Sequence, residues 1–148
     1  MLLLLELAGC AYSFSPGVNQ ATMSVDLAPS ANTTQLVEAG IALDRQLELS
    51  LRQLGLLSNP HADRVLRCTV VEARTSRIST ASLAATDRYR LALTVNASLM
   101  TRGGSVLWER TFTDWGTYSE GQAAEAALHE TCARISRQVA SSIASLSP

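Results

Sequence analysis

Arg88-Tyr89-Arg90-Leu91-Ala92-Leu93-Thr94-Val95-Asn96-Ala97-Ser98-Leu99 alternates without interruption. Tyr89, Leu91, Leu93, Val95, Ala97 and Leu99 point one way, and Arg88, Arg90, Ala92, Thr94, Asn96 and Ser98 the other. A period of two with one apolar set predicts a long strand, buried on one face and open on the other. Arg102-Gly103-Gly104-Ser105 supplies a hairpin turn after it. Residues 106–115 then return as the second arm, with Trp108 and Phe112 on one face.

Working outward, residues 65–73 are rich in β-branched side chains and read as another strand. Residues 76–86, polar and small, read as the connection between it and the alternating stretch. On the C-terminal side, Ser119 and Gln122 have capping-box spacing. Ala124, Leu128, Ile135, Val139 and Ile143 then form the inner stripe of a last helix. On the N-terminal side Leu36, Leu43, Leu47, Leu51 and Leu54 recur at helical spacing. Asn32 and Gln35 are placed as that helix's capping box, Gly55 as its stop, and Ser58-Asn59-Pro60 as the loop beyond. Met23, Val25 and Leu27 alternate with Thr22, Ser24 and Asp26 in a first strand that Pro29 ends.

The order is strand, helix, strand, strand, strand, helix. The predicted class is α+β, with two helices on one face of a four-stranded mixed or antiparallel sheet, in one domain over residues 21–148. The other sheet face is left to solvent or a partner.

The N-terminus carries a different signal. Leu2 to Leu5 look like the end of an apolar leader, and Leu7-Ala8-Gly9-Cys10 resembles a lipobox, the acylation motif of bacterial lipoproteins. A cationic start is absent and Glu6 interrupts the run, so residues 1–9 are read as a partial signal peptide from a misplaced start. Cys10 is the expected lipidation site, and residues 10–20 the lipidated tether. Later stretches fall short of the roughly 18 apolar residues that cross a bilayer, so the expectation is a protein anchored to the membrane.

Charge and motifs narrow the function. Formal net charge is −1, without the basic excess of a nucleic-acid binder. His61 and His129 are the only histidines, and neither has metal-ligand spacing with a cysteine or carboxylate. Phosphate loops, nucleophile elbows and metalloprotease motifs are missing, so no catalytic residue, metal or cofactor is assigned. Between Arg74 and Ser105, however, five arginines (Arg74, Arg77, Arg88, Arg90, Arg102) stand against a single acid, Asp87. Guanidinium forks bind phosphate bidentately, which would suit an anionic glycolipid; equally, strand-face arginines discourage edge pairing. Cys68 and Cys132 both fall on apolar faces. They are either a disulfide, which an oxidising periplasm permits, or two buried thiols, the commoner outcome.

Several segments resemble the LptE type of lipopolysaccharide-assembly lipoprotein. Ala11-Tyr12-Ser13-Phe14 after the lipobox is similar to that family's Gly-Tyr-x-Phe start. Ala62-Asp63-Arg64-Val65-Leu66-Arg67-Cys68 resembles its Ala-Asp-x-Val-Leu-x-Gly strand, with Cys68 in place of glycine. Tyr89-Arg90-Leu91, Gly104-Ser105-Val106-Leu107-Trp108-Glu109 and Thr117-Tyr118 follow in the family's order. Val25-Asp26-Leu27-Ala28-Pro29 departs from its Ile-x-Val-Pro-x-Phe ending. The resemblance implies an outer-membrane lipoprotein on the periplasmic side that plugs and helps assemble the β-barrel LptD and assists delivery of lipopolysaccharide to the cell surface. Arg77, Arg88 and Arg90 are the candidate lipopolysaccharide contacts, chosen from charge and position. The alternative is another periplasmic lipoprotein, such as an accessory subunit of a lipid transporter or an activator of a cell-wall synthase.

Overall fold

The computed structural model describes residues 23–57, 62–78 and 87–146. The partial signal peptide, Cys10, the tether, the 58–60 loop, His61 and residues 79–86 lie outside the described residues.

The elements are β1 (Val25–Leu27), β2 (Ala31–Asn32), α1 (Glu38–Gln53), β3 (Arg64–Ile78), β4 (Arg88–Thr101), β5 (Val106–Ser119) and α2 (Ala124–Ala144). They form one sheet in the order β1-β3-β4-β5, with β2 also pairing β3. β1 and β2 run parallel to β3, and β4 runs antiparallel to both of its neighbours, β3 and β5. The α+β class and the element order are therefore as predicted. The parallel pairing needs a crossover of a dozen or more residues, which α1 supplies. The two-residue β2 is an addition, too short to leave a periodic signal.

The alternating strand behaves as read. Leu91, Leu93, Val95, Ala97 and Leu99 of β4 are buried with Leu66, Cys68 and Val70 of β3 and Phe112 of β5. Leu43, Leu47 and Leu51 of α1 and Leu128, Cys132, Ile135, Val139 and Ile143 of α2 complete the same core. Both helices thus turn their stripes to one sheet face.

Helix starts differ from expectation. α1 begins at Glu38, because Asn32 is held in β2 and spends its side chain on a turn. Its Oδ1 accepts from Thr34 N–H at 2.9 Å, and its Nδ2 donates to Leu36 C=O at 2.7 Å. α2 begins at Ala124, since Gln122 closes a turn instead: Ser119 N–H donates to its Oε1, and its own N–H donates to Ser119 C=O. Gly55 does stop α1. At φ 66° it lets Leu56 N–H reach Leu51 C=O and its own N–H reach Arg52 C=O, a Schellman ending.

One irregularity decides which side chains meet. β3 shifts register against β4 between Val70 and Glu72. Before the bulge Leu66, Cys68 and Val70 face the helices, opposite Leu99, Ala97 and Val95. After it Ala73, Thr75 and Arg77 do, opposite Leu93, Leu91 and Tyr89. An extra residue in one strand of a pair inverts the facing of everything beyond it.

Candidate binding face of the sheet

None of the described helices covers the second face of β3, β4 and β5. In register across it stand Arg88 with Ser119, Arg90 with Thr117, Ala92 with Trp115, Thr94 with Thr113, and Asn96 with Thr111. The middle of the face is a hydroxyl and amide network. Thr94 Oγ1 lies 3.1 Å from Thr113 Oγ1, and Thr111 Oγ1 donates to Asn96 Oδ1 at 2.8 Å. Small polar side chains that bond one another leave a flat, wettable surface.

Charge gathers at one end. The Arg90 guanidinium lies 4.5 Å over the Trp115 ring, a cation–π contact on a half-exposed indole. Arg88 is exposed beside it, and Arg74, on the same face beyond the bulge, pairs with Glu72 at 2.7 Å. Stacking fixes the plane of the Arg90 fork while leaving N–H groups for an anion.

Arg77 is not part of this group. The bulge turns it to the helix side, opposite Tyr89, whose ring stacks on Tyr118 at 5.4 Å. There it bridges Asp87 at 2.5 Å, and that hydrogen bond and charge hold its guanidinium above its usual range. So the three arginines expected together divide two and one, with Arg74 in Arg77's place. The signal was present in the sequence: the apolar positions of β3 pass from even to odd numbers between Val70 and Ala73. Trp115 was also missed, although its odd spacing from Trp108 and Phe112 puts it on the opposite face. Arg102 is remote, donating to Ala62 C=O at 3.1 Å and lying 3.9 Å from Asp26.

Cys68 and Cys132 are free and buried, rather than bridged. Burial pushes both thiols up to about 12, the charge of Asp44 adding to the effect on Cys68. Such thiols stay protonated and are poor nucleophiles. His129 faces Glu125 at 3.5 Å on α2. Among the described residues no cluster of three histidine, cysteine or carboxylate groups could hold a metal ion, and no helix is long and apolar enough to cross a membrane.

Known proteins place this geometry. The chain superimposes on a minor lipoprotein from Acinetobacter baumannii with a TM-score of 0.61 at 20% identity, over 84% of this chain and 94% of that one. Rare lipoprotein B from Shewanella oneidensis gives 0.52 at 18% identity, over 81% and 94%. A PelC dodecamer subunit from Paraburkholderia phytofirmans gives 0.54 at 19%, over 82% and 91%. At these identities the likeness is one of fold. A search of curated proteins finds no match. The model of the LptE family, described as lipopolysaccharide-assembly, matches residues 22–144, from just before β1 to the last residue of α2, and the chain belongs to that family.

Proposed function

We propose that this protein is an outer-membrane lipoprotein, acylated at Cys10, that seats in the lumen of the β-barrel LptD. There it assists the barrel's assembly and helps pass lipopolysaccharide to the cell surface. One observation carries the reading: the long polar face of β3, β4 and β5, uncovered among the described elements, with Arg88, Arg90 and Trp115 at one end. β4 and β5 are each 14 residues long, and at about 3.3 Å per residue such strands reach well into a membrane-depth barrel. Barrel interiors are polar and wet, so a face of threonine, asparagine and serine can enter one without stranding apolar surface or unpartnered groups. The arginine end would meet phosphates, which guanidinium forks hold bidentately. Family membership supports the lipopolysaccharide-assembly role.

The work is binding and positioning. No proton transfer or covalent step is assigned to any residue, and Cys10 supplies the anchor. Affinity purification of the acylated full chain from detergent-solubilised outer membrane tests the reading. The expected partner is a large β-barrel, and recovery without one would sink it. Recovery of a lipid-transporter or cell-wall synthase complex instead would favour the alternative among envelope lipoproteins.

A further inference from the structure

The start of β1, the β4–β5 turn and the C-terminal ends of both helices lie at one end of the domain. Val25 opens β1 beside Arg64, the first residue of β3. α1 returns to that level, where Leu56 C=O accepts from Val25 N–H at 2.8 Å. Arg64 also pairs with Thr101, the last residue of β4, and Arg102 N–H donates to Asp63 C=O at 2.9 Å, which places the turn there. α2 sets out from the far end of β5, with Ala127 and Thr131 against Gly116. Further along it, Arg134 and Gln138 bond Asp114, so α2 runs towards the same end.

Four bulky apolar side chains are exposed at this end. Leu54 after α1, Val106 and Leu107 at the start of β5, and Leu146 after α2 are 46%, 56%, 50% and 42% exposed. The main chain around them is already bonded. Gly55 and Leu56 N–H close α1, and Ser145 and Leu146 N–H donate to Ser141 and Ile143 C=O at the end of α2. In the turn, Gly104 N–H donates to Thr101 C=O and Thr101 N–H to Ser105 C=O. Apolar side chains over satisfied main chain can leave water without stranding a donor or acceptor. In a wet barrel lumen the same four would stay hydrated and gain nothing.

We infer that this end, through Leu54, Val106, Leu107 and Leu146, rests in the headgroup layer of the lipid bilayer that holds the anchor. The choice of a bilayer rests on the Cys10 reading of the proposed function. Twelve residues separate Cys10 from Met23. A stretch of that length spans at most about 40 Å, and about 20 Å as a random coil. The opposite end of β4 lies a further 45 Å or so away, at about 3.3 Å per residue. Acylation at Cys10 therefore holds the entry of β1, and the four side chains with it, nearest the lipid. Ile41 is exposed as well, but it belongs to a groove between the helix starts, where Glu38 and Glu125 would repel an anionic surface. Docking of this kind adds apolar contact beside the anchor and fixes which way the domain points. A chain seated in a barrel lumen would leave this end at the periplasmic mouth, level with the inner leaflet, and carry Arg88 and Arg90 towards the cell surface.

The test is flotation of the full chain carrying Cys10→Ser with vesicles of phosphatidylethanolamine and phosphatidylglycerol, so that no acyl group contributes. The apolar residues before Cys10 are common to every chain compared. Leu54→Asn/Val106→Asn/Leu107→Asn/Leu146→Asn should lower binding about tenfold or more, and Val37→Asn/Ile41→Asn should leave it within about twofold. Far-UV circular dichroism confirms that each variant is folded, and Val106→Asn/Leu107→Asn alone should show part of the loss. In the acylated chain, a bimane on Leu107→Cys should be quenched by a spin label at the lipid headgroup. A bimane on Glu120→Cys, beyond the far end of β5, should not be. No flotation, equal flotation with and without the four apolar side chains, or equal quenching at both positions overturns the inference. A Cys10 free of lipid in the mass of the chain purified from envelopes would sink the anchor instead, and leave the flotation result standing.

Discussion

Gly116 of β5 meets Thr131 of α2 so closely that a Cβ at position 116 would stand 2.8 Å from the Thr131 hydroxyl oxygen and 3.0 Å from Ala127 C=O. Gly116 pairs with Leu91, so its missing side chain would point into the core, where α2 crosses. Thr131 cannot simply swing aside, because its hydroxyl donates to Ala127 C=O at 2.7 Å in a fully buried position. The glycine is the contact that lets α2 lie against β5 and places Arg134 at the strand edge.

Gly116→Ala is therefore expected to destabilise the fold by about 1–3 kcal/mol, the usual range for overpacking. Urea denaturation would show a lower midpoint at unchanged slope. Adding Thr131→Ala should recover only part of the loss, since the Ala127 carbonyl remains in the way. Full recovery, or no loss at all, would contradict the close packing.

The fold was legible where one periodicity ran unbroken, and illegible where local chemistry competed with it. Tyr89 to Leu99 declared β4 because every apolar residue there but the small Ala92 serves one face. Leu43, Leu47 and Leu51 declared α1 for the same reason. Asn32 and Ser119 looked like helix caps because both do enter local side-chain-to-main-chain bonds, Asn32 through its own amide and Ser119 through its N–H to the Gln122 side chain. They close turns five or six residues upstream of each helix, and spacing alone does not separate the two uses. Arg77 was misplaced by the single extra residue at Val71. The Asp114–Arg134 ion pair joins residues 20 apart, a contact that only the packing of α2 on β5 creates.

Two buried thiols give the protein an alkaline limit. The ordinary value of 9.0 is raised to about 12 at both Cys68 and Cys132. The folded chain therefore keeps protons that the unfolded chain releases, so the contribution is complete below pH 9 and declines as pH rises towards 12. Wild-type stability is expected to fall more steeply over that window than stability of Cys68→Ala/Cys132→Ala, whatever the variant's lower starting value. Parallel denaturation curves at stepped pH values check this, and equal slopes would refute it. A thiol reagent near neutral pH should label neither cysteine until the chain unfolds.

The bulge at Val71 makes a sharper statement about the arginines than charge counting did. Arg88, Arg90 and Trp115 share the open face, whereas Arg77 points the other way and is already bonded to Asp87. If the open face takes lipopolysaccharide phosphates, Arg88→Ala/Arg90→Ala should weaken lipopolysaccharide binding by the purified full chain tenfold or more, because each charge-assisted hydrogen bond is worth about 1.5–3 kcal/mol. Arg77→Ala should stay within about twofold, having no fork on that face to lose. Trp115→Ala should fall between them, since it removes the stacked platform that orients Arg90 and leaves the charge. Titration with lipopolysaccharide at fixed ionic strength ranks the three variants. Equal binding by all of them would return Arg88 and Arg90 to the role of solvated strand-face charges.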